Sequence, residues 1–225
     1  MTPRAILFDM AGVLVDSTPL HVRATQLALG ERGHFFTERD SRAFEDALDT
    51  DLLRILRILF DIETATSALV EHMRDHFVRL VTIDGRPLPG VPAVPRFLRR
   101  QGAKLGLVTS SARPVVRAVL RAVGLGDAFE SVVTGEETAR AKPAPDALIM
   151  AARRLGSRPA ECIVVEDSRA GVLAARAAGM LVAAVPTPAT SHEDFRAADL
   201  ILPSLWALPA ALGWSTDGIE SMVGP

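Results

Sequence analysis

The chain of 225 residues has no tyrosine, a single cysteine and two lysines. The lone Cys162 excludes an internal disulfide framework and a cysteine-rich zinc site. Its place in an apolar run reads as a buried strand residue rather than a nucleophile. Lys104 and Lys142 are the two candidates for any chemistry that needs an amine. Positive charge is not in excess. Lys plus Arg number 25 against 27 Asp plus Glu, a net charge of −2, which argues against nucleic acid as a main partner. No apolar run reaches the ~18–20 residues needed to span a bilayer. Asp9 comes too early for an N-terminal secretion signal. The expectation is a cytoplasmic protein with no membrane partner, a monomer or weak homodimer. Aromatic residues make up 5%, and Trp206 and Trp214 lie far from the helical insert identified below, which weakens a sugar-stacking site.

What is present is an alternation. Ala5-Ile-Leu-Phe8 is a short apolar run that ends at Asp9. Lys104 to Thr109, Cys162 to Val165, Leu181 to Val185 and Leu200 to Leu202 repeat the pattern, and Ser131 to Thr134 repeats it more weakly. Helical patterns over 91–100, 113–123, 145–155 and 168–178 separate them. Gly102, Gly124, Gly156 and Gly179 stand where helix C-terminal caps are expected. This predicts an α/β protein with a Rossmann-like, doubly wound parallel sheet. Ligands of such sheets bind beyond the carboxyl ends of the strands, so Asp9, Thr109, Glu166 and Asp167 are expected together. Residues 18–84 break the alternation with helical stretches over 21–32, 37–47, 51–60 and 64–80. They read as an inserted all-helical cap over 17–84. The core then comprises 1–16 and 85–213, followed by a loosely held tail over 214–225.

The polar residues at the strand ends stand in four segments. Phe8-Asp-Met-Ala-Gly-Val-Leu-Val-Asp-Ser17 resembles the first motif of the haloacid dehalogenase superfamily. Leu107-Val-Thr-Ser-Ser111, Ala141-Lys-Pro-Ala-Pro-Asp146 and Val164-Val-Glu-Asp-Ser-Arg-Ala-Gly171 resemble its second, third and fourth. Order and spacing match over residues 4–205. The most similar branch carries a helical cap after the first strand and holds β-phosphoglucomutase, phosphoglycolate phosphatase and sugar phosphatases. The resemblance implies a small phosphorylated metabolite as partner and Asp9 as a nucleophile that forms an aspartyl phosphate. It implies Mg²⁺ held by Asp9, Glu166, Asp167 and the backbone carbonyl of Ala11, a hard oxygen set. Thr109, Ser110 and Lys142 would clamp the phosphoryl group, whose charge must be neutralised in the transition state.

Position 11 departs from the family. The phosphatases and mutases carry Asp there, to protonate the leaving oxygen and then activate water. A methyl group does neither, and loss of general acid–base catalysis costs about 10²–10⁴-fold. Three accounts compete. One is a deliberate Asp-to-Ala replacement in a phosphatase or mutase. Another is a natural loss that leaves a slow enzyme or a phosphate-ligand binding protein. The third is carbon–phosphorus cleavage of the phosphonoacetaldehyde hydrolase type, where Ala is normal but a cap lysine forms the Schiff base. Residues 14–88 contain no lysine, and arginine is too basic for an imine.

Within the cap, the resemblance marks His21 as a substrate contact or proton shuttle. Arg54 and Arg57 are candidates for binding a second phosphate or a carboxylate. Ala47-Leu-Asp-Thr50 stands where a specificity loop is sought, without its pattern. His72 and His76 lie one helical turn apart, but with no third ligand nearby in sequence they are expected on a solvated face. The missing loop pattern and Ala11 both count against a mutase.

Overall fold

The computed structural model describes residues 3–37, 54, 56, 58 and 67–219. The six apolar runs form one parallel sheet: β1 (Ala5–Phe8), β2 (Lys104–Val108), β3 (Ser131–Val133), β4 (Cys162–Glu166), β5 (Leu181–Ala184) and β6 (Leu200–Ile201). The spatial order is β3-β2-β1-β4-β5-β6. β1 is therefore central, with β2 and β4 as its neighbours. The chain winds outward from β1 on one side and then returns to build the other, so the switch point lies beside the first strand. Ligands of open parallel sheets bind at such a point.

Helices cover both faces, as the alternation of strand side chains requires. Ile6, Phe8, Leu105, Leu107, Ile163 and Val165 face one apolar layer. The helices on that side are α3 (Ala93–Arg100) and α4 (Arg113–Ala122), with the short α7 (Leu208–Ala211) beside them. Ala5, Leu7, Cys162, Val164 and Val182 face the other layer, packed by α5 (Asp146–Arg154) and α6 (Arg169–Ala177). Gly102, Gly124, Gly156 and Gly179, just past four helix ends, all have positive φ. This is the left-handed conformation that closes a helix without a Cβ penalty.

Two cap helices are described, α1 (Thr18–Gly30) and α2 (Ser67–Asp84). Leu69, Val70, Met73, Phe77 and Val81 are buried along one stripe of α2. Ala28, Leu29, Phe36, Leu56, Leu69, Val70 and Met73 form a small core of their own, while Phe77 and Val81 join the larger layer on the sheet. Arg54, Leu56 and Ile58 are helical, within the expected 51–60 stretch. The 37–47 stretch past Thr37, Ala47–Thr50 and Arg57 lie outside the described residues. The strands that lead into and out of the insert meet: Val15 bridges Pro87, and Leu88 N–H donates to the Leu14 carbonyl at 3.1 Å.

Of the segment expected as a loosely held tail, Trp214 packs against the first apolar layer and Ile219 is buried within it, and 220–225 lie outside the described residues. Among the described residues no helix is long and apolar enough to cross a membrane.

Leu7 is fully buried in the central strand. Leu7→Ala is expected to cost about 2–5 kcal/mol in urea unfolding. Ile201→Ala, in the edge strand and 59% exposed, should stay within about 0.5 kcal/mol.

Candidate active site

Three neighbouring strands end on polar groups. Asp9 follows β1, Thr109 follows β2, and Glu166 closes β4 with Asp167 after it. Their backbones are held by the sheet: Asp9 N–H donates to the Val165 carbonyl at 2.9 Å and Thr109 N–H to the Val133 carbonyl at 3.1 Å. Carboxylate oxygens of Asp9, Glu166 and Asp167 all lie within 4.8 Å of one another. Asp9 and Glu166 are buried. Such a set is unstable without positive charge, because buried like charges disfavour ionisation.

Lys142 supplies that charge. Its ammonium donates to Asp9 Oδ1 at 2.5 Å and to Glu166 Oε1. Burial alone would lower its pKa, but the two carboxylates outweigh burial and hold it above the ordinary lysine range. The loop that carries Lys142 is tied down by Glu137. That carboxylate accepts from Arg154, from Arg113 and from the Thr134 N–H and hydroxyl. The Arg154 hydrogen bond is foremost in holding the Glu137 pKa below its usual value.

Two glycines make room for the carboxylates. Gly12 has φ +68°, and a Cβ there would overlap the Asp167 carboxylate. A Cβ on Gly171 would overlap the Glu166 carboxylate. Ser168 orients the same group: its hydroxyl donates to Glu166 Oε2 at 3.1 Å and accepts the Gly171 N–H at 3.1 Å, capping α6. Thr109 Oγ1 accepts the Ser111 N–H at 3.1 Å, so the turn after β2 curls back on its threonine.

Above the strand ends lies a cleft of about 220 Å³. Asp9, Ala11, Ser110 and Asp167 line its core side, and His21 and Arg74 are on its cap side. The volume suits a small metabolite and falls below the ~300–1,000 Å³ of typical drug-sized pockets. His21 stacks on Phe77 with ring centroids 4.0 Å apart. The cleft walls enclose the ring and lower its pKa, although it stays open to the cleft, so it is neutral at pH 7. Thr109, Lys142 and Glu166 do not line the cleft themselves; Lys142 and Glu166 reach it through Asp9. Arg54 is exposed and does not line it.

The sequence reading missed Arg74, Asp16 and the Thr187–Glu193 segment, all on the cleft wall. Arg74 carried a signal. It follows Val70 by one turn of α2 and precedes Phe77, so it interrupts an apolar stripe. The 187–193 loop gave none, because it reaches the site only through the packing of β5.

Comparison with known proteins places this geometry. The family profile "Hydrolase: haloacid dehalogenase-like hydrolase" matches residues 3–179. Hexitol phosphatase A of Escherichia coli is 36% identical over 206 residues, 91% of this chain and 93% of that protein. Fructose-1-phosphate phosphatase of E. coli is 32% identical over 179 residues, 78% of this chain and 92% of that protein. The crystal structure of CbbY from Rhodobacter sphaeroides in complex with phosphate superposes with a TM-score of 0.80 at 28% identity, covering 94% of this chain and 97% of that one.

Removing Lys142 leaves two buried carboxylates facing each other. Lys142→Met is expected to lower stability in urea by about 3–5 kcal/mol, the usual loss when one partner of a buried ion pair is deleted. An unchanged midpoint would show that the lysine is not needed to hold Asp9 and Glu166.

Proposed function

Since the chain belongs to the haloacid dehalogenase-like hydrolases, we propose that it hydrolyses phosphate monoesters of small metabolites, sugar or hexitol phosphates foremost. One observation carries the reading. Asp9, Lys142, Glu166 and Asp167 converge at the central strand ends, beneath a small cleft walled by cap helices. Relatives named as phosphatases of hexitol phosphate and fructose 1-phosphate supply the substrate class.

Asp9 is the nucleophile. Its carboxylate attacks phosphorus, the bond from phosphorus to the ester oxygen breaks, and an aspartyl phosphate forms with release of an alkoxide that must gain a proton. Water then attacks phosphorus, releases inorganic phosphate and restores Asp9. Lys142, which reaches the cleft through Asp9, offsets the phosphoryl charge, and the Ser110 N–H and Thr109 hydroxyl donate to the phosphoryl oxygens. A divalent cation fits the site, because three hard carboxylates converge and Gly12 and Gly171 leave the space they occupy. Mg²⁺ is the natural choice for such oxygens, with the Ala11 carbonyl as a further ligand. Bound there, it would offset the charge gathered on the phosphoryl group. His21, neutral and open to the cleft, contacts the leaving group.

Ala11 sets the rate. The methyl group here cannot hand a proton to the alkoxide, so the protein turns over slowly. A second reading, in which the substrate carries an anionic group at its far end, is favoured by Arg74 on the cap wall. A sugar-phosphate mutase would use that feature, but it also needs the missing acid–base group. The carbon–phosphorus reading lacks its cap lysine.

The test compares this protein, Ala11→Asp and Asp9→Asn with p-nitrophenyl phosphate and a panel of hexose and hexitol phosphates, with Mg²⁺ or with chelator. Ala11→Asp is expected to raise kcat by about 10²–10⁴-fold on the sugar phosphates. The gain should be smaller with p-nitrophenyl phosphate, whose leaving group needs little protonation. Asp9→Asn and chelation should each abolish turnover. Phosphate-ester binding without turnover in the Ala11→Asp form would overturn the hydrolase reading in favour of a binding protein. Isomerisation of a sugar phosphate by that form would favour the mutase.

A further inference from the structure

His72 and His76 do not stand alone. Glu31, which caps the C-terminus of α1, reaches both across the gap between the two cap helices. His72 Nε2 lies 3.3 Å from Glu31 Oε2, and His76 Nε2 lies 3.2 Å from Glu31 Oε1. A ligand atom from each residue lies within 4.8 Å of the other two. The expected solvated histidine face is therefore a three-residue cluster, and none of its members lines the catalytic cleft.

Ordinary ion pairing does not account for this arrangement. His72 Nδ1 is 3.2 Å from an Arg32 guanidinium nitrogen. A guanidinium can only donate, so His72 Nδ1 accepts. The His76 side chain is 11% exposed, and its Nε2 is buried with no hydrogen-bond partner. The nearby carboxylate oxygen is thus close to that nitrogen but lies off its donor axis. Glu31 also sits at the negative end of the α1 dipole, where a carboxylate is disfavoured and a cation is favoured.

We propose that Glu31, His72 and His76 form a second metal site, separate from the catalytic carboxylates, that takes a zinc-like divalent transition cation. Zn²⁺ binds imidazole nitrogen and carboxylate oxygen at about 2.0–2.2 Å in tetrahedral sets. Two donors on such a centre stand about 3.3 Å apart, close to the two histidine–carboxylate separations. A histidine pair at i and i+4 with a carboxylate from a second element is a donor set suited to zinc rather than to Mg²⁺. On loading, the His72 proton moves from Nε2 to Nδ1 and the Nε2 lone pair turns to the metal, so Arg32 must leave Nδ1. Arg32 also donates to the Ala28 carbonyl at 2.9 Å, which gives it a partner to remain on. The bound metal would staple α1 to α2. The adjacent α2 residues Met73, Arg74 and Phe77 wall the catalytic cleft, so the staple would fix that wall in place.

The experiment uses the full chain, stripped with chelator and held in saturating Mg²⁺ to occupy the core carboxylates. Zn²⁺ is titrated by calorimetry into this protein, Asp167→Asn and the double variant His72→Gln/His76→Gln. One high-affinity equivalent is expected in this protein and in Asp167→Asn, and none in the double variant. Free Zn²⁺ at a hundredfold excess over its Kd should raise the Tm by about 5–10 °C, and the double variant should lose that rise. Co²⁺ should give the visible absorption of a tetrahedral site in this protein alone of the pair. Should the double variant fail to fold, His72→Gln alone, at a half-buried position, must weaken Zn²⁺ at least tenfold. Equal zinc uptake and equal Tm rise with and without the histidines would overturn the proposal, as would loss of the equivalent in Asp167→Asn with the histidines intact.

Discussion

The contact of Lys142 with Asp9 and Glu166 is the constraint on which the core site rests. Three carboxylates at the ends of adjacent parallel strands repel one another, and two of them are buried. Parallel strands give no choice in the matter, because their ends all point to the same edge of the sheet. The carboxylates can stay charged there only if a cation is held among them. A lysine on a separate loop meets that need, and the loop is in turn fixed by Glu137 between Arg113, Arg154 and Thr134. The sheet places the negative charge, and the loop network places the positive charge against it.

The same site shows why side chains are absent at particular positions. Gly12 and Gly171 are where the chain passes within contact of Asp167 and Glu166. Gly12 meets a second demand as well, a left-handed φ in the turn that leads from β1 into the cap. Ser168 serves both local structure and chemistry, since one hydroxyl caps α6 and holds Glu166. Helix cap and metal-type ligand are therefore not rival descriptions of the Glu166-Asp167-Ser168 segment.

Much of this was legible in the sequence for one physical reason: the three central strands each end on a candidate site residue. Short apolar runs that stop at Asp9, Thr109 and Glu166 mark both the sheet and its ligand edge, and the glycines after the helices fix most boundaries. The four motifs add Lys142, which no periodicity could have placed. The cap was less legible. Arg54 looked suitable by charge, but it is exposed, whereas Arg74 faces the cleft because α2 is rotated to bury Val70, Met73 and Phe77. Glu31 lies 41 residues before His72, and nothing local links them. Their meeting depends on how α1 packs on α2, a tertiary fact with no sequence period of its own.

Ala11 is informative because its surroundings are intact. A chain that no longer held phosphate would have little use for a buried Lys142 facing Asp9, for glycines that clear space for two carboxylates, or for a serine that orients one of them. The buried Lys142 is costly in isolation, since it places charge where an apolar residue would be more stable. On the proposed reading these features act on the phosphoryl group and on the cation that accompanies it. An acid–base side chain at position 11 would act at a different moment, on the proton of the leaving oxygen. The methyl group of Ala11 leaves the first set of interactions whole and cannot supply the second. On the proposed reading the arrangement separates holding and attacking a phosphate ester, which falls to the strand ends and Lys142, from releasing its alcohol, which does not.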